Sequence, residues 1–125
     1  MRLEELGMSV EGLWIIRFGD ANMPEIIPGY SNAGIVVLET GRIFGGDAGY
    51  FYLGDFTVDR EMITGRARVT HFNGPPSTAF GMQSTSFEIG FQGEVMGPRI
   101  EGVIWLLDDR NRALPIILEF KAALP

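Results

Sequence analysis

The sequence predicts an all-β domain, an antiparallel up-and-down barrel of about eight strands. Three observations predict it. Short apolar or alternating runs recur along the chain, separated by clusters of turn-forming residues. The 17 glycines and 7 prolines have no period and fall between and within those runs, as strand punctuation does. Helical periodicity is confined to two short stretches, Leu3–Leu6 and Asn22–Ile27.

The strand runs follow in order. Leu13–Phe18 is apolar with one charge, Arg17, and Gly34–Leu38 is apolar and β-branched. Glu39-Thr40-Gly41-Arg42 reads as a hairpin turn, with Gly41 where a positive torsion is needed, and Arg42–Phe44 as the return strand. Gly45-Gly46-Asp47-Ala48-Gly49 makes a tight corner that Asp47 can cap through neighbouring backbone N–H groups. No helix pattern follows these glycines, so they do not form a phosphate cradle. Tyr50–Val58 is the next strand and Asp59-Arg60-Glu61 a charged turn. Met62–Phe72 alternates, with Ile63, Gly65, Ala67, Val69 and His71 on one face and Thr64, Arg66, Arg68 and Thr70 on the other. Asn73–Ser77 breaks that run, and 76–84 is a long connection of undetermined form. Phe87, Ile89 and Phe91 alternate with polar residues; Arg99–Leu107 and Leu114–Lys121 follow, joined by the polar turn Asp108–Arg112.

Sequential strands joined mostly by short turns favour a closed meander, which leaves no free sheet edge. Glycines inside strands, at Gly54, Gly65, Gly90 and Gly102, let such a sheet bend. A two-sheet sandwich is the alternative. At 125 residues the chain is one domain, with 1–11 as an N-terminal extension and 12–125 as the barrel.

Charged residues mark the outer face. Arg17 sets Leu13 and Ile15 outside and Trp14, Ile16 and Phe18 inside; Glu101 does the same for Val103, Trp105 and Leu107 against Ile100, Ile104 and Leu106. Glu119 and Lys121 set Ile117 outside. Closure makes these three strands neighbours, so Leu13, Ile15, Val103, Trp105, Leu107 and Ile117 are expected to share an outer apolar patch. Large exposed apolar patches are uncommon on monomers. The N-terminal segment folds over it, a second copy covers it in a two-fold dimer, or both.

The formal charge of −6 disfavours nucleic-acid backbone and anionic membrane surfaces as partners. With no cysteine, disulfides and thiolate metal sites are excluded. Met1–Gly7 lacks the basic start and apolar core of a secretion signal, no apolar run reaches the length of a membrane span, and a cytoplasmic location is expected.

Catalytic machinery is sparse. His71 is the only histidine; no positioned partner is indicated, and a strand-end histidine bonded to backbone is the plainer reading. Gly-x-Ser-x-Gly is absent. Asp108 and Asp109 fit a solvated turn better than a metal loop. No enzyme activity, metal or cofactor is expected. Tyr50, Tyr52 and Phe56 share one face, and with His71 they either line a ligand cavity or pack as core. Arg66 and Arg68 flank Ala67 on the polar face and either meet an acidic partner or pair across strands with Glu88, the plainer reading.

The order Gly34-Ile-Val-Val-Leu38, Gly41-Arg42-Ile43, Gly45-Gly46-Asp47-x-x-Tyr50-x-Tyr52-x-Gly54 and Ile63-Thr64-Gly65 resembles the GrlR-type regulators, across roughly residues 12–121 and most clearly 34–65. The resemblance implies a lipocalin-like barrel that dimerises and acts in the cytoplasm without catalysis. It implies a negative regulator of type III secretion genes that sequesters a positive transcription regulator by protein contact. The family's run of four surface acids falls on Val58-Asp59-Arg60-Glu61, so only Asp59 and Glu61 carry over as partner-binding residues. The alternative function is carriage of a small apolar ligand inside the barrel.

Overall fold

The computed structural model describes residues 10–19 and 32–125. Their eight antiparallel strands are β1 (Gly12–Phe18), β2 (Asn32–Glu39), β3 (Arg42–Gly46), β4 (Tyr50–Asp59), β5 (Met62–His71), β6 (Ser86–Met96), β7 (Arg99–Leu106) and β8 (Asp109–Ala122). Each pairs with the next, and β8 returns to β1, so the sheet closes as an up-and-down barrel and not as a sandwich. Closure runs through Trp14↔Phe120, Ile16↔Leu118 and Phe18↔Ile116, all on the inner face. The rings of Trp14 and Phe120 meet edge to face at 5.4 Å. The two short stretches of helical period, and all of the N-terminal extension except Val10 and Glu11, lie outside the described residues.

The inner face follows the alternation in the sequence. Trp14, Leu38, Ile63 and Ile100 are the largest fully buried side chains, and Val36, Ile43, Phe56, Ile104 and Leu118 pack with them in one core. Inward glycines permit the tight curvature. A Cβ on Gly102 would lie 2.0 Å from the Gln92 carbonyl oxygen, and one on Gly54 2.1 Å from that of Arg66. At these points neighbouring backbones approach too closely for any side chain. Gly90 plays a different part. It faces outward, and a Cβ there would meet the Trp105 ring at 2.6 Å.

The two barrel ends differ. At one end lie three tight hairpins. Thr40 and Gly41 both take positive φ (49° and 77°), as a type I′ turn requires, and Gly97 (62°) precedes Pro98 in the β6–β7 turn. The turn carbonyls each accept an N–H from the strand after next: Gly41 from Phe56 (2.9 Å), Glu61 from Val95 (2.6 Å) and Pro98 from Phe120 (2.8 Å). Trp14, 1 % exposed, fills the barrel here, its indole N–H donating to the Val10 carbonyl at 2.9 Å. At the other end lie the Asp47 corner and the long β5–β6 connection.

The outer face corrects one expectation. β7, β8 and β1 are neighbours, but their apolar residues do not form one evenly exposed patch. Val103 and Leu107 are 37 % exposed, whereas Leu13, Ile15 and Trp105 are half-buried and Ile117 is only 5 % exposed. Ile117 sits in register between Arg17 and Glu101, long side chains whose stems shield an apolar neighbour. Trp105 lies against Gly90 and under the Arg110 guanidinium, 4.9 Å from the ring centre. The more exposed apolar surface lies elsewhere. Cross-strand pairing lines up Val37, Phe44 and Leu53 on β2–β4, flanked by Ile35 and Phe51, and Leu53 is 52 % exposed.

Candidate functional site

The barrel is hollow toward its second end. A cavity of about 110 Å³ runs among inward residues of all eight strands, including Ile16, Val36, Ile63, Ala67, Ile89 and Ile116. The strand glycines and Ala67 leave this space, since they place little or no side chain where their neighbours place rings and branched chains.

The β5–β6 connection folds across the mouth. Thr78, buried, donates its hydroxyl to the Met82 carbonyl at 3.0 Å, and the Gly81 N–H donates to the Thr78 carbonyl at 3.1 Å, which rounds the segment into a compact turn. Phe80 is thereby driven inward against Phe87 (6.0 Å, edge to face). Phe87 meets Tyr50 at 6.0 Å and Tyr50 meets His71 at 5.4 Å, so four aromatic rings run in sequence at this end. The Tyr50 hydroxyl donates to the Ser84 carbonyl at 2.8 Å, tying the connection to β4.

Polar groups enter the cavity at the Asp47 corner. Asp47 Oδ1 accepts the N–H groups of Gly49 and Tyr50, both at 2.9 Å, which is the cap its position implies. Its other oxygen, Oδ2, accepts a hydrogen bond from the Tyr52 hydroxyl. Both residues line the cavity. Burial, then the bond to Asp47 and its charge, push the Tyr52 hydroxyl far above the ordinary tyrosine value of 10.0, so Tyr52 stays protonated at any physiological pH. Gly34 leaves room for the pair. A Cβ there would lie 2.7 Å from the Gly46 carbonyl oxygen and 3.0 Å from the Tyr52 hydroxyl.

The sequence-predicted residues are distributed as follows. Tyr50 and Tyr52 line the cavity; Phe56 faces inward but packs in the core beyond it, toward the hairpin end. His71 is not among the lining residues. It stands at the rim against Tyr50, with Nε2 2.6 Å from the Gly74 carbonyl oxygen. Asp59, exposed, and Glu61, half-buried, sit at the hairpin end, away from the cavity mouth. Arg68 pairs with Glu88 at 2.6 Å. Asp109 pairs with Arg112 at 3.6 Å in its turn. Among the described residues, no group of three or more His, Asp or Glu side chains gathers to hold a metal ion. No helix among the described residues is long and apolar enough to cross a membrane.

Sequence reasoning missed two parts of the site. Asp47 was legible as a corner cap, but its bond to Tyr52 depends on how far β4 turns past the corner. Phe80 lies in the connection whose form the sequence left open, although a lone aromatic between small and polar residues marks a side chain with something to bury. No protein-family model matches the chain, and no curated protein matches it.

Proposed function

We propose that the protein binds a small apolar molecule inside its barrel. The hollow interior carries this reading: space of about 110 Å³ in an otherwise well-packed core, bounded almost wholly by apolar side chains. Protein interiors close such voids unless something prevents it. Apolar cavities of roughly 150 Å³ take up benzene, while drug-sized pockets run from about 300 Å³. The occupant is thus a compact body of about benzene size, not a whole fatty acid or polycycle. Native mass spectrometry of protein purified from cells tests the reading. A small adduct that denaturation releases supports it. A consistently empty barrel that also takes up no added toluene overturns it.

A second reading, regulation through protein contact, draws on the outward apolar row of half-buried Val37 and exposed Phe44 and Leu53, and on the resemblance to GrlR-type regulators. On it the protein is a cytoplasmic homodimer that holds a transcription regulator. Affinity capture with the wild type, with Leu53→Glu and with Asp59→Ala/Glu61→Ala separates the surfaces. Loss of a partner with Leu53→Glu places the contact on the β2–β4 face, and loss with the acidic variant places it at the hairpin end. Equal recovery of every partner by all three proteins removes both.

A further inference from the structure

We infer that the ligand of the cavity carries a protonated amine: a small alkyl- or arylammonium whose apolar body fills the barrel and whose nitrogen meets Tyr52 and Asp47. This rests on the cavity being a binding site and names what it selects.

Among the described residues, the lining side chains offer acceptors but no free donor. The Tyr52 hydroxyl hydrogen is given to Asp47 Oδ2, that of Tyr50 to the Ser84 carbonyl, and that of Thr78 to the Met82 carbonyl. Asp47 Oδ1 already holds two N–H groups. What remains toward the cavity is lone-pair capacity on the Tyr52 oxygen and on Asp47 Oδ2, since a carboxylate accepts about four hydrogen bonds and a phenol oxygen about two. A ligand head that donates satisfies these atoms; one that only accepts does not.

Charge sharpens the choice. Among the described lining residues Asp47 is the one carboxylate, and no Lys, Arg or His of theirs joins it there. A carboxylate ligand would face a like charge with no cation to pair with, in surroundings that hydrate it poorly. An ammonium meets an opposite charge through a charge-assisted hydrogen bond. The aromatic rings of Tyr50 and Phe87, both in the lining, add faces that favour a cation. The protein's net charge of −6 also draws cations toward it.

Toluene, benzylamine and benzoate share one ring and differ at the head, so titrating the intact protein with each by calorimetry and ligand-observed NMR tests the inference. Benzylamine is expected to bind at least about tenfold more tightly than toluene, the worth of one hydrogen bond to a charged group, and benzoate not measurably. Asp47→Asn, which keeps the acceptor that caps the corner, and Tyr52→Phe, which keeps the ring, should each erase the amine preference while toluene still binds. Toluene binding with no preference for the amine, or a preference that survives both variants, overturns the inference and leaves the cavity reading intact. Failure of all three probes overturns both.

Discussion

Filling the cavity from Ala67 separates an empty space from a merely loose one. Ala67 is buried, lines the cavity and pairs across β4 with Gly54, which contributes no side chain. Ala67→Val adds two methyl groups. At about 0.8 kcal/mol for each buried carbon, the gain reaches at most about 1.6 kcal/mol. Stiffening of the valine side chain takes back part of this, while strand preference for a β-branched residue adds to it, for a net gain of about 1 kcal/mol. For a domain of this size that raises Tm by roughly 4 °C. Thermal unfolding followed by circular dichroism reads the shift, and denaturant titration checks that the m-value is unchanged. The same variant should weaken toluene binding, because protein atoms now occupy the ligand's space. Overpacking a filled core instead costs about 1–3 kcal/mol. A Tm that falls by several degrees would therefore refute the reasoning, since it would mean that the space beside Ala67 is already taken.

Three further outcomes follow from particular contacts. Gly102→Ala should cost at least about 3 kcal/mol, because its Cβ would lie 2.0 Å from a backbone oxygen that cannot move aside, whereas Gly74→Ala, with no atom within 4 Å, should cost only about 1 kcal/mol for its left-handed backbone; chemical denaturation of both measures the contrast. The Tyr52 hydroxyl titrates higher in the folded state than in the unfolded state, so the stability it contributes is complete below about pH 10 and declines as pH rises toward the folded value. Phenolate absorbance should show this tyrosine ionising only as the protein unfolds, and Tyr52→Phe should flatten the alkaline loss of stability. Glu119 is held below its ordinary 4.5 chiefly by the hydrogen bond from Arg17, at 2.8 Å, so the advantage of wild type over Glu119→Gln should be present near neutral pH and vanish as pH falls through the depressed value. Paired urea titrations from neutral pH down into that acid range measure it; an advantage that grows on acidification would contradict the assignment.

Much of the barrel was legible in the sequence, for a physical reason that particular residues make plain. A strand alternates faces with a period of two, so one charge fixes the facing of a whole run. Arg17 placed Trp14, Ile16 and Phe18 inside, Glu101 placed Ile100, Ile104 and Leu106 inside, and all six face inward. Turn chemistry is equally local, so Gly41 and Asp47 declared their positive φ and their cap. The same alternation says nothing about how much of each outward residue a neighbouring strand covers. Ile117 and Leu53 are both outward apolar residues, yet one is shielded between Arg17 and Glu101 and the other stands open.

The amino-acid order by itself determined the all-β class, the approximate strand count and the inward faces, because these depend on residues a few positions apart. Only the tertiary structure decided that the interior is hollow, that Phe80 covers its mouth, that His71 stays at the rim, and that Tyr52 reaches Asp47 beside Gly34. Each of these depends on the barrel's curvature, which sums small twists and glycine bends over eight strands and sets distances between residues far apart in the chain.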